Sequence, residues 1–189
     1  MKSTEDMTGT EIFQEIARRQ VLALMFHDSM YDLYAFLGLT GFKCWHRHQY
    51  LSESQEFLNT KQYFMSAHNK LLDIGDTGKP KIVIPDSWYG YTRFDVTPQV
   101  VKQHIEASFN AYKTWEEESK HLYESCAKSL FDIGRVADSQ KVKELVQDVT
   151  EELDELYKVM LKLKASNYDI IYILELQPEF DKKFKKFEK

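Results

Sequence analysis

Acidic and histidine side chains at helical spacing are the residues of this chain best placed to do chemistry. The stretch Thr114–Leu122 reads TWEEESKHL and sets Glu118 and His121 three positions apart. Residues at i and i+3 share one face of a helix, so a carboxylate and an imidazole would stand side by side and could grip one divalent cation. A solvated helix rich in Glu, Lys and His produces the same spacing by chance. What separates the two readings is whether other helices bring further ligands to the same depth.

Three more positions answer that description, each a polar residue set into an apolar stripe. His27 lies between Leu24 and Tyr31, Glu53 between Tyr50 and Phe57, and Glu152 between Val149 and Leu156, just as Glu118 lies between Trp115 and Leu122. Glu56 follows Glu53 by three and joins the candidate set, while Asp28, Glu117 and Glu151 replace their neighbours if the helices are rotated by one position. Unpaired carboxylates are costly to bury, and a bound cation compensates them. Carboxylate and imidazole donors together suit iron, with manganese or zinc as alternatives.

The elements that must position these residues follow from where glycine and proline fall. Breakers cluster at Gly38–Gly41, Gly75–Pro98 and Gly134, and leave uninterrupted stretches over 10–37, 42–74, 98–133 and 138–167. Glycine costs about 1 and proline about 3 kcal/mol inside a helix, so they collect where helices stop. Each stretch carries apolar residues at spacings of three, four and seven, for example Tyr50, Phe57, Phe64 and Leu71, or Val142, Leu145, Val149 and Leu156. That is the pattern of amphipathic helices packed on one another. Thr97 with Pro98 reads as a helix start, Asp138 or Ser139 as the cap of the fourth helix, and Gly38, Gly75 and Gly134 as left-handed ends.

Short links join the first helix to the second and the third to the fourth, so each pair should be an antiparallel hairpin. The middle link, 75–97, is long enough to cross a bundle and carries Trp88, Tyr89, Tyr91 and Phe94, which read either as a lid packed on the helices or as part of a subunit interface. The sequence predicts a flexible start over 1–9, one all-α four-helix-bundle domain over 10–176 with a short fifth helix at its end, and a lysine-rich tail over 177–189. Counted from the hairpin turns, His27 and Glu53 fall at matching depths, as do Glu118 and Glu152.

Two helical hairpins joined by one long crossover resemble the ferritin-like superfamily over about residues 10–167. The resemblance implies an all-α fold and a ligand set of carboxylates and histidines drawn from all four helices. It also implies oxidation of iron(II) by dioxygen or peroxide, which would make the protein a ferroxidase-type enzyme, and assembly into a hollow homo-oligomer. The usual pattern has Glu-x-x-His on the second and fourth helices. Here the only such pair, Glu118 with His121, is on the third; the second has Glu53-x-x-Glu56, and the fourth Glu151-x-x-Asp154. A helical interaction protein that kept the bundle and lost its site is therefore the second reading.

Composition narrows the remainder. With 189 residues, 43% of them hydrophobic, the chain has enough apolar material for one sizeable core. A net charge of −5 gives no reason to expect nucleic acid as a partner. Two cysteines, Cys44 and Cys126, make no disulfide framework, and MKSTEDMTGTE has no apolar leader, so a cytoplasmic protein that does not enter membranes is expected. His46 and His48 should point apart, and His68 and His104 should lie at the surface. Neither a glycine-rich phosphate loop nor a nucleophile elbow is present.

Overall fold

The computed structural model describes residues 3–78, 92 and 95–187. Five α-helices account for most of them: α1 (Gly9–Phe36), α2 (Thr40–His68), α3 (Pro98–Asp132), α4 (Val136–Ala165) and α5 (Ile170–Phe184). There is no strand among the described residues. Local chemistry sets several boundaries. Thr8 and Glu11 form a reciprocal capping box, with Thr8 Oγ1 accepting from the Glu11 amide at 3.3 Å and Glu11 Oε2 accepting from the Thr8 amide at 2.8 Å. Thr97 caps α3 through the Val100 amide, and Pro98 takes the first helical position, where its missing N–H costs nothing. Gly38 and Gly134 turn the chain after α1 and α3 with φ of +74° and +79°.

Four boundaries differ from the sequence expectation. α2 ends at His68 rather than near Gly75, because Asn69 takes up the left-handed conformation (φ +50°). The chain beyond it is strapped to α1, where Gln14 Nε2 donates to the Asp73 carbonyl and Arg18 Nε to the Ile74 carbonyl. Asp138 and Ser139 do not cap α4; Arg135 holds the cap position without a side-chain bond, and Asp138 instead accepts from Arg135 Nε at 2.5 Å and from Tyr63 Oη at 2.8 Å. At the start of the chain, Thr4–Asp6 form a 3-10 turn capped by Ser3. The fifth helix does not stop at 176 but runs through Pro178 to Phe184. Leu174, whose carbonyl loses its donor there, is exposed to water.

Side-chain contacts fix the topology. Phe13 packs on Phe64 at one end of α1 and Tyr34 on Phe42 at the other, so α1 and α2 are antiparallel. Arg19 bonds Ser119 while Tyr34 bonds Ser108, which makes α1 and α3 antiparallel as well. Ser139 Oγ donates to the Ala127 carbonyl, and Tyr157 Oη donates to Glu117, closing the α3–α4 hairpin. The bundle is up-down-down-up, with the 69–97 connection between its two hairpins. The expected aromatic group Trp88, Tyr89, Tyr91 and Phe94 lies outside the described residues.

α5 completes one end. Gly41 lets its backbone approach α2, since a Cβ there would overlap the backbone of Gln177, and Gln177 Oε1 accepts from the Phe42 amide at 3.1 Å. Phe180 and Phe184 then pack on Trp45. The core is split into two apolar clusters. One gathers Phe26, Trp45, Phe109, Tyr112, Leu156 and Phe180; the other gathers Phe13, Ile16, Phe64, Tyr123, Leu130 and Leu153. On α1, α2 and α3 the changeover between clusters falls at polar residues, Gln20, then Gln49 and Glu53, then Glu116 and Ser119, and on α4 Glu152 stands just before it, next to Leu153.

Candidate metal centre

That polar layer holds the candidate site. Glu53 and Glu116 are 6% and 1% exposed, far below what a solvated carboxylate shows. Glu56 and Glu152 are half-buried, and Glu152 keeps one oxygen sealed from water. Glu53 Oε2, both oxygens of Glu116 and Glu152 Oε2 have no hydrogen-bond partner. Neither do His27 Nε2 or either amide atom of the fully buried Gln20.

Electrostatics follows from this crowding. Burial pushes the Glu53 carboxyl well above the usual carboxylate range, and Glu56, Glu152 and Glu116 add to the push. Glu152 is driven the same way, by burial first and then by Glu116 and Glu56. Burial with Asp148 brings Glu56 to about 7. Burial brings Glu116 to about 8, against the pull of Arg19. Arg19 pulls on Glu53 and Glu116, as Lys141 does on Glu56, but Arg19 is engaged elsewhere. Its Nε donates to Ser119, one amino group donates to the Trp115 carbonyl at 2.6 Å, and its guanidinium lies 3.5 Å from the centre of the Trp115 ring. Four carboxyls thus share a volume with few donors, an arrangement satisfied by protons or by a multivalent cation.

His27 flanks the layer. Its Nε2 lies 3.8 Å from Glu116 Oε1, and its Nδ1 meets His46 Nδ1 at 3.0 Å. Burial lowers the His27 pKa to about 3 and holds His46 well below its ordinary range, so both rings are neutral. Gln49 donates to Tyr112 Oη at 3.0 Å on the adjoining side. Two turns before His27 on α1 is Gln20, and two turns after His46 on α2 is Glu53, so the antiparallel register that pairs the histidines sets Gln20 opposite Glu53.

Of the residues expected from sequence, His27, Glu53, Glu56 and Glu152 come to this layer. Glu118 and His121 do not. Glu118 is on the outer face of α3, its side chain 54% exposed and 3.6 Å from Arg19, and His121 lines an outer groove with Glu117, Asp154 and Tyr157. The inward face of α3 is Tyr112, Glu116, Ser119 and Tyr123, a step of four, three and four. Sequence spacing passes over Glu116 because the apolar stripe runs from Trp115, which is buried, to Leu122, which is only half-buried. The interior serines Ser108 and Ser119 disguise the true one. Gln20 was missed for the same reason: an uncharged polar residue two positions from Leu22 gives no metal signal. The histidine pair was half legible. His46 and His48 do point apart, His48 onto Phe184 and Phe187, but His46 is fully buried. His68 is not a free surface residue either, since it sits 3.1 Å from Asp138.

The donor set fits a divalent cation in kind: four carboxylates, orphaned oxygens and one imidazole nitrogen at the edge. Among the described residues, no three His, Cys, Asp or Glu side chains already stand in a binding arrangement. No helix among them is long and apolar enough to cross a membrane.

Two antiparallel hairpins, the long connection between them, the docked fifth helix and a polar layer across the middle define a ferritin-like bundle. The solved structures agree. The chain matches a novel open-pore ferritin from the hyperthermophilic archaeon Archaeoglobus fulgidus with a TM-score of 0.74 and 17% identity, over 91% of this chain and 94% of that one. It matches a humanized archaeal ferritin with a TM-score of 0.74 and 16% identity, again over 91% and 94%. An engineered closed form of the Archaeoglobus fulgidus ferritin gives 0.73 and 17%, over 91% and 93%. No protein-family model and no curated protein matches the chain. At such identities the likeness defines the fold.

Proposed function

We propose that this protein binds a divalent metal, iron first and manganese or zinc as alternatives, at Glu53, Glu56, Glu116 and Glu152 with His27 at the edge. The observation that carries the reading is the set of sealed, partnerless carboxylate oxygens on Glu53, Glu116 and Glu152. Such oxygens are costly beside one another, and a cation removes that cost. The fold favours iron, because the solved structures it resembles are ferritins. On this reading iron(II) is a substrate, and its oxidation by dioxygen or peroxide is the activity expected. The metal supplies the redox chemistry. The chain supplies carboxyls that give up their protons as the ion binds and two apolar clusters that wall it off.

Self-association belongs to the same proposal. Leu51, Leu58 and Met65 recur every seven residues on the outer side of α2 and are 37%, 46% and 48% exposed, an apolar stripe suited to a second copy. Light scattering that reports a 22.4 kDa particle at micromolar concentration would reject it.

A second reading is a bundle that keeps the layer protonated and binds nothing. It is favoured by the absence of a ready-made group of three ligands among the described residues. Elemental analysis after incubation of the purified protein with iron(II), manganese(II) and zinc(II), followed by gel filtration, separates the two. Stoichiometric metal that is lost in a Glu53→Gln, Glu116→Gln double variant supports the proposal. Protein that takes up none of the three supports the second reading.

A further inference from the structure

The two buried histidines ask for a role that the carboxylate layer alone does not give them. His27 is wholly enclosed, and its Nε2 has no hydrogen-bond partner. That nitrogen lies 3.8 Å from Glu116 Oε1, and neither oxygen of Glu116 has a hydrogen-bond partner of its own. That separation is too long for a hydrogen bond. It is short enough for one ion to touch both atoms, since metal bonds to nitrogen and oxygen run about 2.0–2.2 Å. On the other side of the ring, Nδ1 is occupied by His46 Nδ1 at 3.0 Å. Two neutral imidazoles that meet nitrogen to nitrogen share one proton, so one ring donates and the other accepts.

We propose that the imidazole ligand of this centre comes from α1: His27 binds the cation through Nε2 beside Glu116, and His46 holds it in that tautomer by accepting a hydrogen bond from His27 Nδ1–H. This rests on the metal-binding reading above. It replaces the Glu-x-x-His arrangement that α2 lacks, where Glu56 occupies the third position after Glu53. His27 is then the ligand and His46 a positioning residue. Metal-bound histidines characteristically donate their other ring N–H to such a partner, which fixes the ring and raises its basicity. His46 is held in turn by stacking on Tyr34, with ring centroids 5.2 Å apart, and by the edge of Tyr112.

Cobalt(II) is the probe. In the full chain loaded with cobalt(II), proton NMR in H₂O should show one strongly paramagnetically shifted resonance that disappears in D₂O, the Nδ1–H of His27. His27→Gln should remove that resonance and weaken cobalt(II) binding, measured by calorimetry, by at least tenfold. His46→Phe should keep a bound imidazole, make its N–H exchange faster with solvent, and weaken binding by about tenfold to a hundredfold, the usual effect of losing an outer partner. His46→Gln, which retains an acceptor, should recover part of that loss. Wild-type protein that binds cobalt(II) without a shifted exchangeable proton, or a His27→Gln variant with unchanged affinity and spectrum, overturns the inference and leaves the carboxylate site standing. Wild-type protein that takes up no cobalt(II) overturns both. If a variant fails to fold, as judged by loss of helical circular dichroism, the wild-type spectrum alone decides.

Discussion

His27 on α1 and His46 on α2 meet Nδ1 to Nδ1 at 3.0 Å, with both side chains shut off from solvent. A single proton lies between them, so the state of one ring dictates that of the other. The next residue in the line is Glu116, 3.8 Å beyond His27. The first hairpin is thereby linked to α3 at the level where the apolar core is interrupted.

The buried carboxyls make stability depend on pH in a definite direction. Their folded-state pKa values are raised above the ordinary 4.5, to about 7 for Glu56 and about 8 for Glu116. Over that window the folded chain binds more protons than the unfolded chain, so stability is fully present at low pH and is lost as pH rises. Above about pH 6.5, where the depressed histidines no longer titrate in either state, the metal-free protein should lose on the order of a few kcal/mol up to pH 8, read as a falling urea midpoint. Added manganese(II) should restore the midpoint at pH 8. A midpoint that is flat across the window, with or without metal, would contradict the crowded layer.

Glu116 and Glu118 are two positions apart and should behave oppositely. Glu116→Gln removes a buried charge from among others. In metal-free protein at pH 8 it should raise stability by roughly 1–2 kcal/mol. It should also weaken metal uptake at least tenfold. Glu118→Gln, on the exposed face, should change stability by no more than about 0.5 kcal/mol and leave uptake as it was. Denaturant titration together with metal analysis of both variants gives the comparison.

Close packing of α5 depends on Gly41. Gly41→Ala would force a methyl group onto the backbone of Gln177. Helix propensity alone favours alanine by about 1 kcal/mol, yet the overlap should dominate and cost roughly 1–3 kcal/mol net. Thermal unfolding followed by circular dichroism measures it; a rise in midpoint would show that α5 docks differently.

Asp138 ties the start of α4 to the end of α2: it accepts from Tyr63 and from Arg135, and His68 Nε2 lies 3.1 Å away. Asp138→Ala leaves a partly buried guanidinium without its carboxylate and should cost roughly 3 kcal/mol. Asp138→Asn, which keeps the shape, should lose less. Equal midpoints for wild type and Asp138→Ala in urea would refute the account.

The bundle was readable because its signals are redundant. Breakers at Gly38, Gly134 and Pro98 agree with stripes such as Val142, Leu145 and Val149, and each reinforces a helix boundary that the other implies. Helix rotation was less secure, and the site depends on it. One helical position is 100° of turn, so carrying the α3 stripe from Trp115 to Leu122 instead of to Ser119 and Tyr123 moves the inward carboxylate from Glu116 to Glu118. Depth was also misjudged on α1, where counting from the loop matched His27 with Glu53 while the actual register matches it with His46. The extension of α5 through Pro178 was hidden because a proline inside a helix ordinarily reads as a stop.

The seating of α5 on α2 bears on how the chain is born. Trp45 belongs to the first hairpin, but the rings that cover it, Phe180 and Phe184, are translated after the other four helices. During synthesis α3 brings Phe109 and Tyr112 against Trp45, but the side of the ring that Phe180 and Phe184 cover stays bare until α5 is made. Closing it requires a contact between residues far apart in the chain, the kind that forms slowly. Ribosome-bound chains that lack α5 should accordingly expose a sticky surface and recruit chaperones until the last helix emerges.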